Sequence, residues 1–197
     1  MIHYDKKLIF IHIPKCGGTS VENALFRPHE KTSDALFTLK GHPDHDKYET
    51  GGLQHLSASK VREVVGGKIY DEFYKFAVVR HPVKRLISQF NYTYQFPYFV
   101  DMLNLKFKNF TFREYLDAIR NKYHVHWRPQ HEFIYDGNRL LVDKIYKMED
   151  LKPLENDLDI TLPHHNKSTK HITSISERDE SIIKNIFEKD YELLEYV

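Results

Sequence analysis

The feature that most constrains this chain is a short β-branched run that stops abruptly at a glycine turn. Leu8-Ile9-Phe10-Ile11-His12-Ile13 is rich in β-branched residues and is cut off by Pro14, which reads as a buried strand. Gly17-Gly18 follows, then Thr19 and Ser20, and then Val21, Ala24 and Leu25 at helical spacing. The unit is strand, glycine turn, helix. Two adjacent glycines let the backbone approach a ligand closely, and the helix start offers unpaired N–H groups and a partial positive charge. Lys15 adds a cation, and Thr19 and Ser20 add hydroxyls. The chemistry suggested is a cradle for a phosphate-like group. It is not a Walker A loop, because the lysine precedes the glycines and the first glycine of that pattern is missing.

A second unit of the same kind follows. Lys75 to Arg80 reads as a buried strand, and His81-Pro82 breaks it. Pro82 is placed to open a helix that carries Leu86, Ile87 and Phe90 inward. Between the two strands, residues 27–54 read as a loop-rich excursion, and Ser57 to Val65 as a helix with Val61, Val64 and Val65 inward, stopped by Gly66-Gly67. Thr111-Phe112-Arg113-Glu114 is a capping box for a helix to about Asn121. Asp136-Gly137-Asn138 is a turn, Leu140 to Met148 holds a strand, and Ser176 caps a helix bearing Ile182, Ile183, Ile186 and Phe187. Strands alternating with helices predict an α/β layer fold on a mostly parallel sheet, with ligands at the carboxyl ends of the strands.

Composition narrows the class. With 197 residues a single domain over 1–197 is expected. Lys+Arg is 29 and Asp+Glu 28, a net charge of +1, which argues against a surface given over to nucleic acid or an anionic membrane. One cysteine, Cys16, excludes an internal disulfide. No apolar run approaches the ~20 residues of a membrane span, and the start lacks a signal-peptide core, so a cytoplasmic protein is expected.

Arg80 closes the second strand, and Ser88 follows early in the next helix; an arginine fork with a hydroxyl suits a second phosphate. Together, Ile-Pro-Lys-x-Gly-Gly-Thr-Ser (13–20) and Val-Arg-His-Pro-x-x-Arg-Leu-x-Ser (79–88) resemble the 5′-phosphosulfate loop and the 3′-phosphate motif of sulfotransferases that use 3′-phosphoadenosine 5′-phosphosulfate (PAPS). The wording is most similar to the carbohydrate branch, which includes heparan sulfate 2-O-sulfotransferase and the chondroitin sulfotransferases.

That resemblance implies a three-layer P-loop-like fold and transfer of a sulfuryl group to a carbohydrate or glycoconjugate hydroxyl, without a metal. It implies that Lys15 stabilises charge on the leaving phosphate. Cys16, Gly17, Gly18, Thr19 and Ser20 would cradle the 5′-group, while Arg80 and Ser88 would bind the 3′-phosphate. Lys167 and Ser168 fall where the family has a late basic loop over the nucleotide. The absence of an anchor differs from the Golgi-anchored animal members and fits a bacterial cytosolic enzyme, whose acceptor is a polysaccharide precursor, glycolipid or small glycoside.

The acceptor hydroxyl needs a general base, and the chain has 13 histidines. The branch has a catalytic histidine between the two motifs, where His55 lies; His42 is the runner-up. His12 reads as a packed core histidine within the first strand, and His81 as part of the turn after Arg80. The pair His124-x-His126 would share one face of a strand, but no cysteine cluster or His-Glu-x-x-His pattern supports a metal site. Nine aromatics in 90–112 read as core packing ahead of a sugar-binding face. Two alternatives stay open: a nucleotide-binding module without catalysis, and a small ATP-dependent kinase, which the displaced Lys15 disfavours.

Overall fold

The computed structural model describes residues 1–36, 53–163 and 171–197. His42, His164, His165, Lys167 and Ser168 lie outside the described residues. In chain order, the elements begin with β1 (Ile2–His3), β2 (Leu8–Ile11), α1 (Gly18–Leu25), α2 (Ser33–Leu36), α3 (Ala58–Val65), α4 (Gly67–Glu72) and β3 (Tyr74–Val79). There follow α5 (Pro82–Thr93), α6 (Pro97–Met102), α7 (Phe112–Arg120), α8 (His131–Ile134), β4 (Tyr135–Asp136), β5 (Arg139–Leu140) and β6 (Lys144–Lys147). The chain closes with α9 (Lys152–Leu158), α10 (Glu177–Ile186) and α11 (Glu188–Leu193). Short 3-10 turns span Pro28–Glu30 and Leu53–His55.

The fold is α/β, with a mostly parallel central sheet flanked by helices. The strand order is β1-β2-β3-β6, with β1 antiparallel to β2 and the other pairs parallel. Ile11 lies opposite Ala77 and Val79 opposite Lys147, so the three parallel strands end close together in register. The inner strands β2 and β3 are largely apolar and buried because both faces of a parallel sheet are covered, whereas the edge strand β6 (Lys-Ile-Tyr-Lys) buries only Tyr146.

The described residues form two compact units. One comprises Met1–Val79 and Gln130–His165 and contains the sheet. Its core is built on Ile9, Phe10 and Ile11 of β2 and Phe76, Ala77, Val78 and Val79 of β3, all buried, with the Phe10 and Phe76 rings stacked at 5.1 Å. The other comprises Arg80–Pro129 and Asn166–Val197 and is helical among its described residues. Its core gathers Leu86 and Phe90 of α5, Phe99 and Val100 of α6, Leu116 and Ile119 of α7, and Ile183 of α10. Phe90 meets the rings of Phe110, Phe112 and Tyr115 at 5.3–5.5 Å. Of the aromatics in 90–112, Phe90, Phe99, Phe110 and Phe112 are therefore core, while Phe96, Tyr98 and Phe107 are exposed.

Several elements differ from the sequence reading. The first strand ends at Ile11 and leaves His12 and Ile13 beyond it. The second ends at Val79, so Arg80 follows the strand instead of closing it. Gly66, at φ +84°, ends α3, but Gly67 begins a further helix, since the chain reverses through Gly66 alone. Val64 is exposed, because Ala58 and Val61 alone supply the buried stripe of this short helix. The 140–148 region divides into β5 and β6, and β4 and β5 form a hairpin around Gly137, whose φ is +58°. His124 and His126 lie in a turn and not on a strand: the His126 N–H donates to His124 Nδ1 at 3.2 Å.

Candidate functional site

The candidate site is built on the turn from β2 into α1. Lys15 holds φ +67°, a left-handed conformation that costs a residue with a Cβ about 1–3 kcal/mol. Gly17 holds φ +79° without that cost and is the N-cap of α1. It has no side chain to satisfy the helix start, and no side-chain cap hydrogen bond is made. The backbone N–H groups of Ser20 and Val21 both donate to the Gly17 carbonyl, at 3.0 and 3.3 Å. Gly18 and Thr19, the first two helical positions, are thus the donors that this uncapped end offers an anion. The Ser20 N–H is thus engaged by the Gly17 carbonyl, which leaves the Ser20 hydroxyl as its other donor. Lys15 is half-buried and Thr19 exposed.

Cys16 turns away from this surface. The residue is 1% exposed, and its thiol donates to Gln130 Oε1 at 3.3 Å. Gln130 is fully buried and was not marked by any sequence pattern. Cys16 thus ties the loop to the turn before α8. Met148, just past β6, packs beside Gly17, 3.4 Å from where a Cβ there would sit.

His55 stands at the end of the 3-10 turn and is buried at 8% exposure. Its Nδ1 lies 2.9 Å from the His12 carbonyl. A carbonyl only accepts, so Nδ1 carries a proton, and whenever the ring is neutral Nε2 is its acceptor nitrogen. That is the tautomer a general base requires at Nε2.

His12 is packed, as its sequence position suggests, but packed at the site. Its ring stacks on Phe10 at 5.5 Å and meets the His55 ring edge-on at 4.5 Å and 66°. Its Nε2 lies so close to Gly18 that a Cβ there would sit 1.8 Å away. Burial first, then His55, the chain's N-terminus and Lys15, hold the His12 ring well below the ordinary histidine range. His12 is therefore neutral and adds no competing charge. A period-two apolar pattern reads it as one more strand residue, which is why its contacts with Gly18 and His55 escape a sequence reading.

In the helical unit, Arg80 is half-buried, His81 is the N-cap of α5, and Ser88 sits half-buried on that helix. Arg85, the second arginine of the same motif, is 1% exposed and donates to the carbonyls of Arg128 and His126 at 2.8 and 3.3 Å. It organises the turn after α7. His126 Nδ1 pairs with the buried amide of Gln89 at 2.8 Å. No group of three or more metal-ligating side chains occurs among the described residues, and no described helix is long and apolar enough to cross a membrane.

Compared with known proteins, residues 1–197 match the family model described as the Sulfotransferase family. No curated protein and no solved structure matches the chain.

Proposed function

The chain belongs to the sulfotransferase family, and from that premise we propose that it moves a sulfuryl group from PAPS to a carbohydrate or glycoconjugate hydroxyl. The observation that carries this reading is the pairing, within one unit, of an uncapped glycine-turned helix start with a histidine whose Nδ1 is committed to a carbonyl. The first suits the 5′-phosphosulfate and the second suits the acceptor hydroxyl.

The N–H groups of Gly18 and Thr19, the backbone of Cys16 and Gly17, and the Ser20 hydroxyl hold the 5′-group. Lys15 neutralises charge as it develops on the bridging phosphate oxygen. Arg80 and Ser88 take the 3′-phosphate, and Lys167 and Ser168 add contacts to the nucleotide. In the transfer step the acceptor oxygen forms a bond to sulfur in line with the breaking S–O bond. The electron pair of that bond passes to the 5′-phosphate oxygen, the acceptor proton passes to His55 Nε2, and 3′-phosphoadenosine 5′-phosphate (PAP) leaves. Positioning and fixed charge supply most of the acceleration, as in phosphoryl transfer. The carbohydrate acceptor is supported by the branch-like wording of the two motifs.

Calorimetry with PAP against AMP tests the donor assignment. PAP is expected to bind roughly tenfold tighter or better, a difference of about 1.4 kcal/mol, through its 3′-phosphate. Equal affinities would remove that role from Arg80 and Ser88. His55→Ala is expected to keep PAP affinity within about threefold and to lower turnover on a glycan panel by about 10²–10⁴. Unimpaired turnover would move the base elsewhere.

A further inference from the structure

We propose that His12 is a positioning residue for the base: its ring is a wedge between the glycine turn and His55 that holds His55 in the Nδ1–H tautomer. The proposal rests on the reading of His55 as the general base.

Four contacts of one residue carry it. The His12 carbonyl receives the His55 Nδ1 proton at 2.9 Å. The His12 ring stands edge-on to the His55 imidazole at 4.5 Å and limits its tilt about that bond. Phe10 stacks on the His12 ring at 5.5 Å. The ring fits only because position 18 has no side chain, since a Cβ there would stand 1.8 Å from Nε2. Gly18 is therefore needed twice: once for the approach of an anion to the helix start, and once to seat the wedge. The same ring touches the cradle and the base, so it fixes the spacing between the group that holds the donor and the group that takes the acceptor's proton. Misplacement of about 1 Å at such a junction lowers rates roughly a hundredfold.

Imidazole ¹⁵N NMR of the full chain reads the tautomer directly, with His55→Ala identifying the resonances. In the wild-type protein His55 is expected to show a protonated Nδ1 and an unprotonated Nε2. In His12→Ala the two tautomers should mix, kcat should fall roughly tenfold or more, and PAP affinity should stay within about threefold. A wild-type His55 protonated at Nε2 would overturn the proposal. So would a His12→Ala protein with unchanged tautomer and unchanged kcat. If His12→Ala does not fold, His12→Leu, which keeps apolar bulk without the planar edge, carries the same readouts.

Gly18→Ala supplies a second, independent arm. It should weaken PAP binding and scramble the His55 tautomer, and adding His12→Ala should recover PAP affinity but not turnover. A double variant that binds PAP no better than Gly18→Ala would mean that the glycine serves the anion alone, and the wedge would be overturned. Failure of the base reading looks different: His55→Ala would then turn over normally while the tautomer of His55 still responded to His12.

Discussion

At the scale of single residues, the site depends on groups whose conformation or protonation is unusual for their type. Lys15 accepts a left-handed backbone, and His12 is kept neutral by burial. The second has a consequence for stability. Unfolding returns His12 to water, where its pKa is about 6.5. Its folded pKa is lower, so below about pH 6.5 the unfolded chain binds the proton that the folded chain refuses. The stability this group contributes is complete above about pH 6.5. It is lost progressively as pH falls toward the folded value, with a slope of up to about 1.4 kcal/mol per pH unit. Urea denaturation at pH 7.5 and 5.5 should therefore show wild type losing more stability on acidification than His12→Gln. Parallel pH dependences would refute this. The glycine pair was legible because only glycine combines close approach with positive φ. The ring beside it was not, because a buried histidine at a strand end carries no signal that distinguishes packing from positioning.

Between elements, the clearest joint is made by one amide. Asn91, on α5 one turn after Ser88, is 2% exposed. Its Nδ2 donates to the Ile172 carbonyl at 3.0 Å, and its Oδ1 accepts from the backbone N–H groups of His171 and Ile172 at 3.0 and 3.1 Å. Tyr94, a further turn along, sets its ring 4.0 Å from that of His171. Asn91→Ala strands three backbone groups and is expected to cost about 2–3 kcal/mol by denaturant unfolding. Asn91→Asp keeps the acceptor but loses the donor, and should cost less. Equal and negligible losses would show that the segment 171–172 is held by other contacts. Elements with a full signature were readable from sequence: β2 and β3 as bounded apolar runs, and α7 through the Thr111–Glu114 capping box, in which Thr111 Oγ1 accepts from the Glu114 N–H at 3.2 Å. The helices α4, α6, α8 and α11 have four or six residues, too few to display a 3.6-residue period, and their starts lack a capping side chain. They form because tertiary packing covers them, which no local pattern records.

For the whole molecule, the near-cancellation of 29 basic and 28 acidic residues into a charge of +1 leaves almost no long-range field. Any salt dependence of donor binding must then come from charges gathered locally on the ligand. PAP carries two phosphate monoesters, each about −1.5 to −2 at neutral pH, and AMP carries one. If Lys15 and Arg80 each answer one of them, as proposed above, attraction over short distances dominates. Raising ionic strength from about 0.01 to 0.15 M shortens the screening length from about 30 to 8 Å. It should raise the PAP dissociation constant several-fold and the AMP constant less. Arg80→Ala should bring the two salt slopes together, because it removes the partner of the phosphate that AMP lacks. Calorimetry at three salt concentrations measures all of these slopes. A PAP constant that is flat with salt, or a slope unmoved by Arg80→Ala, would mean that hydrogen bonds from the backbone, and not a local cluster of cations, carry the recognition of the donor.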